Sequence, residues 1–238
     1  GVFRHIGTGQ SSDALVWGNA GGMLDALLGF ARKNPQVLLE LKTKSARVEP
    51  LLSRDDLPPN IVCSWTLGPE PVIANEEHGT AKLEARLEAA RAMADAGVKV
   101  AFHCHPMVRY EGWRGDYEAL AATLLERFTP EEVLFFTLGA VTLIRPVVKA
   151  IRERGGESKI LQMPLTPDHH GKLTYPDEQK VELFSALYQA LTPWHEGVFF
   201  YLCMEPKPIW ERSLGFCHAD SETFERAFGE WFRRSLST

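Results

Sequence analysis

Cysteine, basic charge and long apolar runs are all scarce in this 238-residue sequence, and each shortage excludes a class of protein. The four cysteines are too widely spaced for a zinc knuckle, a Cys-x-x-Cys redox pair or a local cluster motif. No apolar run approaches the ~18 residues of a membrane span, and no charged-then-apolar leader pattern is found. A net charge of −5 argues against a general polyanion-binding surface. We expect a cytoplasmic protein with reduced cysteines and no membrane partner.

The sequence does contain an alternation of strand and helix patterns, in a composition (45% hydrophobic, 24% charged) that suits one large domain. Apolar, β-rich runs recur at 37–41, 60–67, 98–103, 133–138 and 198–203. Helical patterns lie at 23–33, 80–96, 116–127, 143–154, 177–191 and 221–235, and Thr80 is the expected N-cap of the second. This alternation predicts an α/β fold with a parallel sheet, open or closed as a barrel.

The chain opens without a methionine, and residues 1–8 read as the end of a buried strand that runs into the loop Gly7-Thr8-Gly9-Gln10-Ser11-Ser12-Asp13. We therefore expect residues 1–238 to form a single domain: the C-terminal portion of a partial parallel (β/α) barrel, with a C-terminal extension. Anchoring ligands for a cofactor would then lie upstream of Gly1.

Polar residues stand at the carboxyl ends of the predicted strands, where the active sites of parallel sheets collect. They are Thr8, Gln10, Ser12, Asp13, Lys42, Lys44, Thr66, His103, His105, Thr137 and Glu205. This set suits a zwitterionic small molecule, with Lys44 facing a carboxylate and the hydroxyls fixing ribose or amine groups. Because Lys42 and Lys44 alternate with Thr43, both point to one face of the strand. Each of the two lysines is either a ligand-binding residue or a solvated residue at the end of the strand.

His103-Cys104-His105 has the same one-apart spacing and allows a second interpretation. A His-x-His at a strand end binds metal in barrel hydrolases, which predicts a metal-dependent hydrolase that uses His103 and His105 with a carboxylate. The simpler interpretation is a polar strand end that lines a cavity. Cys104, like Cys63 and Cys203, lies in an apolar run where a buried, reduced thiol is the ordinary outcome.

Five segments carry a family pattern. They are Ile6-Gly7-Thr8-Gly9-Gln10-Ser11-Ser12-Asp13, Leu38-Leu39-Glu40-Leu41-Lys42-Thr43-Lys44, Glu76-Glu77-His78-Gly79-Thr80 with the helix that follows, Gly112-Trp113, and Tyr201-Leu202-Cys203-Met204-Glu205 with Trp210-Glu211. In order and at compatible spacings over nearly the whole chain, they resemble the spore photoproduct lyase family of radical S-adenosylmethionine (SAM) enzymes.

The resemblance implies a partial barrel of the radical SAM type and a four-iron four-sulfur (4Fe-4S) cluster on a Cys-x3-Cys-x2-Cys loop, with an electron donor for that cluster. We expect the loop upstream of Gly1. The family lysine that contacts the SAM carboxylate falls on Lys44, and the family's cofactor-binding serines fall on Ser12 and Thr66. Asp13 and His105, at strand ends of the same sheet, complete the expected cofactor site.

At one position the sequence departs from the family. Gln10 aligns where the DNA-repair lyases have a cysteine that donates a hydrogen atom to the product radical, and an amide has no comparably weak bond to give. This difference puts thymine-dimer repair in question. The protein acts on another substrate, or uses a thiol such as Cys104, or ends its adenosyl-radical chemistry differently. Gln10 and Cys104 are therefore the candidate catalytic positions.

Three functions follow from the sequence. The first is a radical SAM enzyme that generates a 5′-deoxyadenosyl radical to act on an unidentified substrate, for which damaged DNA is a candidate. Nucleic acid would then contact Arg109-Tyr110-Glu111-Gly112-Trp113-Arg114, the best basic and aromatic segment. The alternatives are the metal-dependent hydrolase and a catalytically silent fragment that keeps a cofactor-binding or partner-binding surface.

Overall fold

Nine strands alternate with nine helices along the part of the chain that the computed structural model describes, residues 3–9, 12–155, 158–168 and 170–236. The strands are β1 (Arg4–Thr8), β2 (Val37–Thr43), β3 (Ile61–Thr66), β4 (Val100–Met107), β5 (Val133–Ala140), β6 (Thr142–Leu143), β7 (Thr166–Pro167), β8 (Leu173–Thr174) and β9 (Phe199–Leu202). The helices are α1 (Met23–Lys33), α2 (Glu49–Leu52), α3 (Glu70–Glu76), α4 (Leu83–Asp95), α5 (Trp113–Arg127), α6 (Arg145–Glu153), α7 (Asp177–Ala190), α8 (Lys207–Leu214) and α9 (Ser221–Ser235).

Six strands form one parallel sheet in the order β1-β2-β3-β4-β5-β9. Each strand therefore lies beside the next major strand of the chain, without the reversal of order that marks a doubly wound sheet. The sheet curls into half a barrel, as successive βα units do. The predicted partial parallel barrel is confirmed.

The outer face of the sheet carries the larger core. Alternate residues such as Leu41, Trp65, Phe102 and Phe136 are fully buried there, in one cluster with apolar residues of α1, α4, α5 and α7. Helix α4 begins at Leu83, with Lys82 as its N-cap, so the prediction of Thr80 as the cap is wrong.

The inner face changes character along the strands. At its N-terminal end Leu38, Val62, Ala101 and Phe135 pack against Phe3 and against two phenylalanines of α9, Phe228 and Phe232. Further along the same face, polar side chains replace them: Glu40, Lys42, Ser64, Thr66, His103, His105 and Thr137. Because side chains in a strand alternate between faces, this shift places polar groups inside the half-barrel near its C-terminal mouth.

Residues 141–176 connect β5 to α7. They contain α6 and the small antiparallel sheet β6-β8-β7. Across the described ranges, no helix is both long and apolar enough to cross a bilayer.

Candidate functional site

Two adjoining cavities occupy the C-terminal mouth of the half-barrel. The rim pocket, about 330 Å³, is lined by Gly9, Ser12, Asp13, Lys42, Thr43, Lys44, Thr66, Thr80 and His105. The barrel pocket, about 620 Å³, is lined by His5, Gly7, Thr8, Glu40, Lys42, His103, His105, Pro106, Thr137, Tyr201, Cys203 and Met204. Lys42 and His105 line both. A larger depression of about 770 Å³ lies at the other end of the sheet, near Ile61 and Val98, away from these polar groups.

The rim pocket brings together all five residues predicted to bind the cofactor: Ser12, Asp13, Lys44, Thr66 and His105. They come from four different strand ends and are up to 93 positions apart in the chain. Gln10, the sixth predicted residue of this neighbourhood, lies outside the described residues.

Asp13 organises the wall of the rim pocket. Its Oδ1 accepts hydrogen bonds from Thr43 Oγ1 (2.7 Å) and from the backbone nitrogen of Leu15 (2.9 Å), and its Oδ2 accepts one from the Lys44 nitrogen (2.7 Å). Gly9 makes this closure possible, because its φ is +88° and a Cβ there would lie 2.4 Å from the Lys42 carbonyl oxygen. The carboxylate of Asp13 thus ties the loop after β1 to the end of β2.

Lys44 belongs to a partly buried charge network with Glu77 and Arg86. Its Nζ donates to Glu77 Oε1 at 2.8 Å, and Arg86 Nη2 donates to Glu77 Oε2 at 2.6 Å. Arg86 is fully buried and also donates to the carbonyl oxygens of Thr66 (2.7 Å) and Ala81 (2.8 Å). Sequence analysis missed Arg86. The sequence does contain a sign that Arg86 is buried: it lies on the apolar stripe of α4, four residues before Ala90 and seven before Met93.

Glu40 forms the floor of the barrel pocket. One carboxylate oxygen lies 2.8 Å from His5 Nε2, and the other accepts from Ser64 Oγ (2.5 Å) and lies 2.5 Å from His103 Nε2. Burial alone raises the pKa of Glu40, but the hydrogen bonds from His103 and His5 outweigh burial and hold that pKa well below its usual range. Glu40 is therefore ionised, and its oxygens are occupied by protein donors.

Burial acts on both histidines of β4, because it disfavours their charged forms. Burial lowers the pKa of His103. Burial, followed by the charges of Lys42 and His103, lowers the pKa of His105 to about 4. No three His, Cys, Asp or Glu side chains within the described ranges are arranged to hold a metal ion. His103 instead bonds to Glu40, so the geometry does not fit the metal-dependent hydrolase.

Cys104 is a buried, free thiol, as its apolar run predicts. Alternation along β4 turns His103 and His105 inward and Cys104 outward, where its side chain is fully buried in the outer core. Burial raises the pKa of this thiol. Cys104, a candidate catalytic position, thus lies on the face of the sheet that is turned away from both pockets. The thiol that does line the barrel pocket is Cys203, which sequence analysis treated only as a buried cysteine.

The predicted nucleic-acid segment folds into a packed cluster. The Arg109 and Arg114 guanidinium carbons lie 5.1 and 4.9 Å from the ring centre of buried Trp113. Both arginines also pair with Glu182, at 2.5 and 2.9 Å. One carboxylate therefore offsets part of the positive charge that this segment was expected to present.

Comparison with known proteins gives one family. The family model described as "Spore photoproduct lyase" matches residues 5–193. Two relatives named spore photoproduct lyase are similar. The one from Clostridium acetobutylicum is 28% identical over 48% of this chain and 34% of its own length. The one from Geobacillus sp. is 33% identical over 37% of this chain and 27% of its own length. The matched segments thus span about a third of these relatives.

Solved structures show the same fold. A spore photoproduct lyase mutant with dinucleoside spore photoproduct superimposes with a TM-score of 0.73 at 23% identity, over 84% of this chain and 61% of that one. Streptococcus suis SuiB bound to S-adenosylmethionine gives a TM-score of 0.53 at 12% identity, over 93% of this chain and 43% of that one.

Proposed function

The chain belongs to the spore photoproduct lyase family, and from this premise we propose that it forms the SAM-binding and substrate-binding half-barrel of a radical SAM enzyme. One observation carries the proposal: the five residues predicted to bind SAM, from four strand ends, line a single pocket that opens onto a second one. Active sites of parallel barrels occupy this end of the sheet.

The rim pocket suits SAM chemically. Lys44 offers a cation for the methionyl carboxylate, and Glu77 holds it in place. Ser12 and Thr66 offer short hydroxyls for the ribose or the amine. Bound SAM would supply a 5′-deoxyadenosyl radical once an electron donor reduces the 4Fe-4S cluster. The four widely spaced cysteines of this chain do not suit the cluster, and the proposal places its ligands upstream of Gly1.

The barrel pocket would hold the substrate beside the cofactor. Its volume of about 620 Å³ is in the usual range for small-molecule sites. Because a related enzyme is described with dinucleoside spore photoproduct, we assign this pocket to a thymine-dimer lesion of DNA. Glu40, His5 and His103 would form its rigid polar floor, and the residues around the mouth would shield a radical from water.

Replacing Lys44 with alanine should weaken SAM binding by about tenfold to a hundredfold, since one charge-assisted contact contributes about 1.5–3 kcal/mol. Calorimetry on the purified protein, with the proposed upstream cluster segment restored, measures this loss. Lys33→Ala, at an exposed position on α1, is the matched control and should bind SAM as the parent does. Unchanged affinity in Lys44→Ala would remove Lys44 from the proposed site.

In the full-length enzyme with its cluster, replacing Gln10 with cysteine should raise the yield of repaired spore photoproduct per SAM cleaved, because the product radical would gain a thiol hydrogen donor. Product analysis alongside 5′-deoxyadenosine release separates repair from cofactor cleavage. Cys203→Ala in the parent is the companion variant, since Cys203 lines the barrel pocket. Efficient repair by the parent that survives Cys203→Ala would contradict the assigned role of position 10. A protein that binds SAM without cleaving it would instead support the silent alternative.

A further inference from the structure

Lys42 stands at the junction of the two pockets, and only His105 shares that position. It is the inward-facing residue two positions beyond Glu40 on β2, and its side chain is partly buried. Its Nζ makes no hydrogen bond or ion pair with any residue of the described ranges. A partly buried ammonium group without a partner is unfavourable, which makes Lys42 a strong attractor for an anion.

The other charges at the mouth are already matched. Lys44 pairs with Glu77, and Glu205, just beyond β9, pairs with Lys180 at 2.8 Å. Glu40 accepts hydrogen bonds from His5, Ser64 and His103 and makes none with Lys42. Burial lowers the pKa of Lys42, and the charge of Glu40 opposes this lowering only in part. Lys42 and Lys44 are the only lysine or arginine side chains among the described residues that line the two pockets, and Lys42 is the one without an ion pair in the described ranges.

The backbone of Lys42 is held rigidly. Its carbonyl oxygen accepts a hydrogen bond from the Ala14 nitrogen at 3.0 Å and lies directly against Gly9. Lys42 also pairs in register with Ser64 of β3. A binding group on a strand that is fixed on both sides is well placed for recognition, because little motion is lost when the ligand arrives.

We infer that Lys42 binds a backbone phosphate of the substrate. This inference rests on the proposed function, in which the substrate is a nucleic-acid lesion and phosphate is the anionic group that nucleic acids carry. The Lys44 ammonium group has three donors and uses one on Glu77, so Lys44 can also bind the SAM carboxylate. Lys42 then binds the anion in the barrel pocket and Lys44 the anion in the rim pocket. A lysine suits a phosphate because its ammonium group is a compact point charge with three donors.

The test compares two ligands that differ by one group. The dinucleotide spore photoproduct has the bridging phosphate, and the dinucleoside spore photoproduct lacks it. Calorimetry should show that Lys42→Met lowers the affinity of the purified protein for the dinucleotide by about tenfold to a hundredfold. Affinities for the dinucleoside and for SAM should stay unchanged. Lys42→Arg should keep most of the preference for the dinucleotide, and Lys33→Met, the matched surface control, should keep all of it.

Three results would overturn the inference: an equal loss for both lesion ligands, a loss confined to SAM, or no loss at all. A second measurement keeps the inference separate from the proposed function. Lysine side-chain NMR during titration with dimethyl phosphate should shift the Lys42 signal, which Lys42→Met identifies. A Lys42 signal that does not respond overturns the inference even if the protein binds SAM and the lesion. If the Lys42 signal responds but the protein binds neither SAM nor the lesion, the anion site is supported and only the proposed function is overturned.

Discussion

Replacing Arg86 with methionine should lower the free energy of unfolding by about 3–5 kcal/mol, the usual cost of breaking a buried ion pair by removing one partner. Arg86 is fully buried, and its guanidinium group satisfies Glu77 and the carbonyl oxygens of Thr66 and Ala81. The methionine would leave both carbonyls without this donor. Urea denaturation monitored by circular dichroism measures the change.

A matched control lies on the same helix. Arg91 also pairs with a carboxylate, Glu132, but its side chain is 27% exposed. Arg91→Met should therefore cost only about 0.2–1 kcal/mol, as partly solvated pairs do. Because Arg86 positions Glu77 and Glu77 positions Lys44, Arg86→Met should also weaken SAM binding, whereas Arg91→Met should not. Equal destabilisation by the two substitutions would show that the network around Glu77 is not what stabilises the rim pocket.

Replacing Glu40 with leucine should destabilise the fold by about 2–6 kcal/mol at pH 7, because it leaves the buried donors of His103 and Ser64 unsatisfied at about 1–3 kcal/mol each. Glu225→Leu, in the exposed pair with Arg4, should leave stability unchanged. The pKa of Glu40 is lower in the folded state than its ordinary value of 4.5. Its ionisation therefore contributes fully above that value, and the contribution is lost as the pH falls through the folded-state pKa.

The difference between the parent and Glu40→Leu should accordingly be constant near neutrality and narrow only in acid. Denaturation curves at several pH values between neutrality and about pH 3 measure this difference in the free energy of unfolding. Each unit by which the fold lowers the pKa of Glu40 should contribute about 1.4 kcal/mol to it. A difference that widened as the pH fell would mean that Glu40 is protonated in the native state, contrary to its three hydrogen bonds.

Much of the fold was predictable from local pattern. Apolar runs of strand length that alternate with helical periodicity predicted the parallel sheet, and β2, β3 and β5 lie within about two residues of the predicted runs. The grouping of Ser12, Asp13, Lys44, Thr66 and His105 was predictable for a related reason. Carboxyl ends of parallel strands meet at one edge, so polar residues that end successive strands come together whatever their distance along the chain.

Details that depend on which face a side chain takes were harder to predict. A shift of one residue reverses the face, and this decided that Cys104 points into the outer core while Cys203 lines the barrel pocket. Thr80 has the chemistry of an N-cap, yet its hydroxyl donates to the Glu77 carbonyl oxygen and accepts from Arg86, and α4 begins three residues later. For Thr80, tertiary partners outweighed the local preference.

The sequence by itself determined the order and type of the elements and the edge of the sheet at which the polar residues meet, because periodicity and strand direction are local properties. Only the tertiary structure decided which of those polar groups are already satisfied. Glu40, Lys44 and Asp13 have partners from other elements, while Lys42 makes no hydrogen bond or ion pair with any described residue. Pairing of charges depends on distances between residues far apart in the chain, and the folded chain alone sets those distances.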